Sequence, residues 1–147
     1  MFHVSTKLRY GLRSMVDLAL RGTESPLSLK ELSKDQDISK KYLENIFTML
    51  HRNGIVRSIR GAKGGYQLAR DPATLTVVEI LDAIDGPVEL IECIETPDNC
   101  PKSRNCLTRD FWAGLEGLIK DYLRYKTLQE LVDEYKKNNE NYTGMFI

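Results

Sequence analysis

The chain has 147 residues, 41% hydrophobic and 29% charged, proportions that fit one compact domain of ordinary globular make-up with enough length for a real core. No segment approaches the roughly 18 apolar residues of a membrane span, and the opening "MFHVSTKLRYGL" has no secretory-type apolar run, so a cytoplasmic protein without a membrane partner is expected. The formal charge of zero hides a division: residues 1–70 hold 13 Lys and Arg against 6 Asp and Glu, a net of +7, and residues 71–147 hold 8 against 15, a net of −7.

From Thr6 to Arg21, Leu8, Leu12, Met15, Val16, Ala19 and Leu20 recur at helical spacing and Gly22 ends the pattern, predicting a first helix. After a loop containing Pro26, Ser28-Leu-Lys-Glu31 reads as a capping box, in which each side chain satisfies an orphan backbone N–H at a helix start. A short second helix is expected to about Lys34. Ser39 is the next N-cap, followed by Tyr42, Leu43, Ile46, Phe47 and Leu50 on one face, with Asn53-Gly54 as the stop. Lys40, Lys41, Glu44 and Asn45 fall outside that face.

Two helices joined by a few residues make a helix-turn-helix, whose second member can enter a DNA major groove. The stretch "IVRSIRGAKGGYQLAR" then alternates apolar and polar residues and turns through Gly61, Gly64 and Gly65, where glycine admits positive φ. Arg60 and Lys63 occupy the tip of this hairpin, which reads as a wing. "GAKGG" lacks the spacing of a nucleotide-binding P-loop and no helix follows it immediately. Between Asp71 and Asp98 lie eight acids and no base, so this stretch repels a polyanion while the front half attracts one.

All three cysteines sit in "CIETPDNCPKSRNC", Cys93, Cys100 and Cys106 within fourteen residues. An odd count in a reducing compartment argues against a disulfide framework and favours metal binding or redox chemistry, with three inert core cysteines as the plain alternative. Thr108 is expected to cap a helix carrying the apolar stripe Phe111, Trp112, Leu115, Leu118, Ile119, Tyr122 and Leu123, wider than one small domain needs. A buried intrachain helix is the alternative to a subunit interface. Thr127-x-x-Glu130 caps a further short helix, and "KKNNENYTGMFI" reads as a loosely ordered tail.

The segments "STKLRYGLRSMVDLAL", "ISKKYLENIFTMLHRNGIV", "SIRGAKGGYQLARDP", "TVVEILDAIDG", the cysteine loop and "CLTRDFW" together resemble the IscR/NsrR family of bacterial winged-helix transcription regulators, over nearly everything from Val4 to about Glu134. The resemblance implies a mainly α fold with a small β-hairpin: a winged helix-turn-helix plus a long C-terminal dimerisation helix. The expected division is a DNA-binding domain over 1–85, a cluster loop over 86–106, dimerisation and packing helices over 107–137 and a flexible tail over 138–147. It further implies a homodimer on a palindromic operator in double-stranded DNA, and in many members an iron-sulfur cluster whose state controls DNA affinity.

Carried onto this chain, the base-reading positions are Ser39, Lys40, Lys41, Tyr42, Glu44 and Asn45, with Arg60 as the groove-entering arginine of the wing. Lys donates to guanine acceptors, Asn pairs with adenine, Glu accepts from a cytosine amino group and Arg suits a narrow minor groove. Tyr42 has a core reading as well. Lys7, Lys63 and Gly64 complete the expected DNA contacts, and His51 reads as a phosphate contact or a surface residue.

The cysteine loop matches the family's cluster-binding loop, with Cys93, Cys100 and Cys106 as three thiolate ligands of a 2Fe-2S or 4Fe-4S centre. Such clusters want four protein ligands. The fourth is a histidine three residues after the last cysteine in the IscR-type arrangement, and Arg109 stands there; in the NsrR-type arrangement it is an aspartate from the partner's first helix, aligned with Arg9. Neither arginine ligates. The candidates left are His3 from the partner subunit, Glu92, Glu95, Asp98 or Asp110, or an exogenous ligand. A labile cluster, a three-thiolate zinc site and metal-free thiols that sense oxidation all stay open.

The expected function is therefore a sequence-specific regulator, acting as a repressor, controlled by a cluster or by thiol redox state at the three cysteines. A small iron-sulfur electron carrier is the reading from a different class, and it has no use for a wing. No nucleophile–base set or paired carboxylates point to an enzyme.

Overall fold

The structure, a computed structural model, describes residues 2–22 and 24–144. Helix α1 (Thr6–Arg21) starts where the Ser5 hydroxyl accepts from the Leu8 N–H. Helix α2 (Leu29–Gln36) opens on the capping box of Ser28 and Glu31 and closes on Asp37 in the left-handed region, two residues beyond the expected end. Helix α3 (Lys40–Arg52) is N-capped by Ser39. Strands β1 (Val56–Ile59) and β2 (Gly65–Leu68) pair antiparallel in the register Val56–Leu68 to Ile59–Gly65.

Helix α4 (Val77–Asp85) carries a second capping box, Thr76 with Glu79. The cysteine loop then folds into a short helix, α5 (Glu92–Glu95), and two single 3-10 turns, Pro97–Asn99 and Ser103–Asn105. Helix α6 (Arg109–Tyr125) and helix α7 (Leu128–Gly144) complete the chain. No helix among the described residues is long and apolar enough to cross a membrane.

Met15, Leu18, Leu32, Leu43, Ile46, Phe47 and Leu50 meet Leu75, Ile80, Ile84 and Leu128 in one core, all essentially inaccessible to water. Each such side chain contributes about 1.5–3 kcal/mol by leaving water, so this shared core is the platform on which α3 is held. Helices α1 and α4 approach so closely that a Cβ at Gly11 would lie 2.4 Å from Ile84 Cδ1. The Leu128 N–H donates to the Leu75 carbonyl at 2.8 Å and the Val77 N–H to the Lys126 carbonyl at 2.8 Å, which stitches the α6–α7 junction to the start of α4.

Three expectations need correction. The helix continues through 138–144, read from sequence as tail, because Leu128 and Val132 anchor its first turns and each further turn then adds at little cost; residues 145–147 lie outside the described residues. Thr108 occupies the N-cap position of α6 but its hydroxyl caps nothing; it faces Cys106 instead. Gly64 is not at positive φ, unlike Gly61 and Gly65; glycine is needed there because a Cβ would lie 2.1 Å from the Ile59 carbonyl oxygen.

Candidate nucleic-acid interface and cysteine loop

Burial of Leu43, Ile46, Phe47 and Leu50 turns the opposite face of α3 outward, and that face carries Lys40, Lys41, Glu44 and Asn45, all exposed. None of the ion pairs among the described residues uses these charges. The Ser39 hydroxyl accepts from the Tyr42 N–H at 3.2 Å, which leaves its O–H and a second lone pair for a further partner. Tyr42 is half-buried against the core and meets Tyr10 of α1 edge-on at 5.9 Å, and the Arg13 guanidinium lies 5.2 Å over the Tyr10 ring. That geometry matches the core reading of Tyr42, one helix turn from the exposed face. His51 is exposed at the far end of α3.

The wing is fastened to the body at a definite point. Leu27 and Tyr66 exchange backbone hydrogen bonds of 3.0 and 2.8 Å, making the segment before α2 a second, short partner of β2. A Cβ at Gly65, whose φ is +155°, would stand 2.3 Å from the Leu27 carbonyl oxygen. Arg60 and Lys63 project from the turn, exposed and outside any ion pair among the described residues. Lys7 differs: its ammonium is 3.8 Å from Asp85 Oδ1, so part of its charge is already answered within the chain.

The cysteine loop is tied to α6 at its front end. The Arg109 guanidinium donates from Nε to the Cys93 carbonyl and from Nη2 to the Ile94 carbonyl, each at 3.2 Å. Lys120 Nζ donates to Glu95 Oε1 at 2.8 Å and Glu116 Oε1 at 2.7 Å, while Glu116 Oε2 accepts from the Leu90 N–H at 2.9 Å. Glu116 is 2% exposed and is the one buried side chain of α6. Burial pushes its carboxyl up, but hydrogen bonds from Lys120 and the Leu90 N–H, with the Lys120 charge, outweigh that and hold it below the ordinary glutamate value. Nothing in the sequence marked Glu116 as buried.

Cys93 and Cys100 are half-buried and Cys106 is exposed, all as free thiols. Cys106 Sγ lies 3.8 Å from the Thr108 hydroxyl. The Thr108 backbone N–H and hydroxyl, then the backbone and charge of Arg109, hold this thiol below the ordinary cysteine value against a small effect of burial. Among the described residues no three His, Cys, Asp or Glu side chains are grouped to hold a metal ion, so Cys93, Cys100 and Cys106 do not stand as a ready-made ligand set in this arrangement. Of the proposed fourth ligands, Glu95 is engaged by Lys120, and Glu92, Asp98 and Asp110 are exposed. Phe2 meets Trp112 edge-on at 6.4 Å, which runs the segment carrying His3 beside the start of α6 in the same chain.

The stripe expected on α6 faces outward. Phe111, Leu118, Tyr122 and Tyr125 are exposed, Leu118 by 69% and Tyr122 by 67%, and Leu107 just before the helix is fully exposed. Trp112, Leu115, Ile119 and Leu123 are only half-covered.

Comparison with known proteins bears on this arrangement. The family profile described as Rrf2, iron-dependent transcriptional regulator, matches residues 4–134. The chain is 38% identical over 137 residues to the HTH-type transcriptional regulator IscR of Xenorhabdus nematophila, covering 93% of this chain and 80% of that one. Its fold is similar to that of T. potens IscR, with a TM-score of 0.77, 31% identity and coverage of 93% and 90% of the two chains. It is also similar to the oxidized form of Staphylococcus aureus CymR, with a TM-score of 0.70, 30% identity and coverage of 89% and 96%. With the hairpin docked behind an outward-facing helix, the chain is a winged-helix DNA-binding transcriptional regulator, not an enzyme, and belongs to the Rrf2 family.

Proposed function

We propose that the chain is a dimeric repressor that binds a palindromic operator in double-stranded DNA and responds to the state of its cysteine loop. The observation that carries the DNA half is the exposed face of α3, where Asn45 stands with Lys40, Lys41 and Glu44 and none of the three charges enters an ion pair among the described residues, together with an exposed basic wing tip. Base reading by Ser39, Lys40, Lys41, Glu44 and Asn45, minor-groove entry by Arg60 and backbone contacts from Lys63 and the Gly64 turn follow from that placement. Glu44 supports base reading in particular, since a carboxylate near phosphates is repelled unless a base amino group receives it. Tyr42 acts by holding α3 against α1, and Lys7 contributes less than a free lysine because of Asp85.

Dimerisation through α6 is supported by its outward aromatic and aliphatic stripe. A two-fold pairing covers that stripe with its own copy and sets two recognition helices about one DNA turn apart. The work is then divided among residues 1–85 for DNA, 86–106 for sensing and 107–137 for pairing.

For sensing, the family's description as iron-dependent supports an iron-sulfur cluster on Cys93, Cys100 and Cys106. The dispersed sulfurs and the exposed, acidified Cys106 support control by free thiols instead. The experiment is iron, sulfide and zinc content with visible absorption on protein purified and reconstituted without oxygen, beside DNA affinity before and after thiol oxidation. Stoichiometric iron and sulfide select the cluster. Their absence with oxidation-dependent affinity selects the thiols, and an affinity indifferent to both contradicts sensing by this loop.

A further inference from the structure

Between α2 and the wing runs an open groove of about 600 Å³, lined by Lys30 and Lys34 on one side, Lys63 and the turn of the wing on the other, and Ser25, Ser28 and Glu31 along its floor and edge. Its width is set by backbone: the Leu27–Tyr66 pair ties the start of α2 to β2, and the space beside Leu27 that a side chain at Gly65 would need is taken. Lys30 and Lys34 stand four residues apart on one exposed face of α2. All three lysines are exposed, and no ion pair among the described residues uses them.

The single acid lining the groove, Glu31, is tied to the start of α2. Glu31 Oε2 accepts from the Ser28 N–H at 2.8 Å and from the Ser28 hydroxyl at 3.1 Å, the bonds that hold it below the ordinary glutamate value. Glu31 thus serves the helix start but keeps its negative charge, and three exposed ammonium groups outnumber that one carboxylate along the groove. Lysine on a flexible stem suits a spread of phosphate positions, where a bidentate base contact would call for arginine.

We propose that Lys30, Lys34 and Lys63 form a clamp for the sugar-phosphate strand of DNA bordering the groove that Arg60 enters. This rests on the DNA-binding reading above and extends it to two residues of α2. The strand passes between α2 and the wing, so binding is gripped on a flank that α3 does not reach, without regard to base sequence.

The test uses the full chain and a duplex that it enriches from a random-sequence pool. Affinity is measured across a salt series for the wild type, for Lys30→Gln/Lys34→Gln/Lys63→Gln, and for Lys136→Gln/Lys137→Gln on α7 as a control that removes exposed charge elsewhere. The clamp predicts that the triple variant loses about two to three units of salt slope, roughly one per phosphate released, and keeps the same base preference, while the control keeps the wild-type slope. An unchanged slope in the triple variant, or an equal loss in the control, overturns the clamp. Thermal melting of the triple variant at the wild-type temperature separates the loss from misfolding; if it melts early, methylphosphonate substitution of flanking phosphates in the duplex gives the same answer on wild-type protein, a position-specific loss supporting the clamp and indifference at every flank overturning it. A wild type that binds no duplex overturns the DNA reading itself.

Discussion

The guanidinium of Arg109, in the first turn of α6, donates to the backbone carbonyl of Cys93, sixteen residues earlier, at 3.2 Å. Where an IscR-type ligand set has a histidine, this chain has a side chain that holds the peptide of the first cysteine rather than a metal. Arg109→Met is expected to destabilise the fold by only about 1 kcal/mol, since the carbonyls it leaves reach water. It should also speed proteolysis within 90–107. Limited proteolysis with mass spectrometry checks this, and an unchanged cleavage rate would mean that the loop is held without Arg109.

Cys106 is the exposed thiol and the one held below its ordinary value, first by the Thr108 N–H. Iodoacetamide at neutral pH is therefore expected to modify Cys106 several-fold faster than Cys93 or Cys100 in the metal-free protein. Thr108→Val should slow that reaction, and its pH profile should move toward that of a free cysteine. Peptide mapping over time reads both.

Glu116 gives the loop a pH dependence. Its folded carboxyl is more acidic than the unfolded one, so its contribution is complete above the ordinary glutamate range and is lost as the pH falls through the folded value. Lys120, raised first by its bond to Glu116 and then by Glu95, keeps its charge throughout that window. Stability should drop on acidification more steeply in the wild type than in Glu116→Gln. The variant itself should be about 1–3 kcal/mol less stable at neutral pH, having lost the carboxylate that answers both the Leu90 N–H and Lys120. Denaturant melts at a series of pH values measure the difference.

Leu118 lies at the middle of the exposed stripe. In the proposed two-fold pairing through α6, Leu118→Glu sets like charges on both copies of the stripe and should weaken self-association by about 100-fold or more, leaving a folded monomer. Sedimentation equilibrium decides, and a wild-type chain that is monomeric at micromolar concentration would remove α6 as the interface.

Local signals were legible in the sequence because they act over three or four residues. The capping box of Ser28 and Glu31, the Ser39 cap and the apolar spacing of Leu43, Ile46, Phe47 and Leu50 all reappear as drawn. The second capping box, at Thr76 and Glu79, carries the same signature and went unread. What distance creates was not legible. Glu116 looks like a surface acid on a helix until the Leu90 N–H, twenty-six residues away, arrives beside it. Thr108 has the residue type and position of a cap, yet the turn at Cys106 draws its hydroxyl to sulfur. Nothing in the sequence singles out Lys30 and Lys34, and only the docking of the wing on Leu27 sets Lys63 opposite them.

The central claim is that α3 and the wing read a symmetric DNA sequence, and enrichment of duplexes from a random-sequence pool by the wild type and by Glu44→Ala tests it most directly. The account predicts that the wild type recovers a two-fold symmetric consensus with half-sites about one helical turn apart, and that Glu44→Ala recovers the same consensus with base preference relaxed at one position in each half-site. No enrichment by the wild type, or an identical consensus from both proteins, would contradict it.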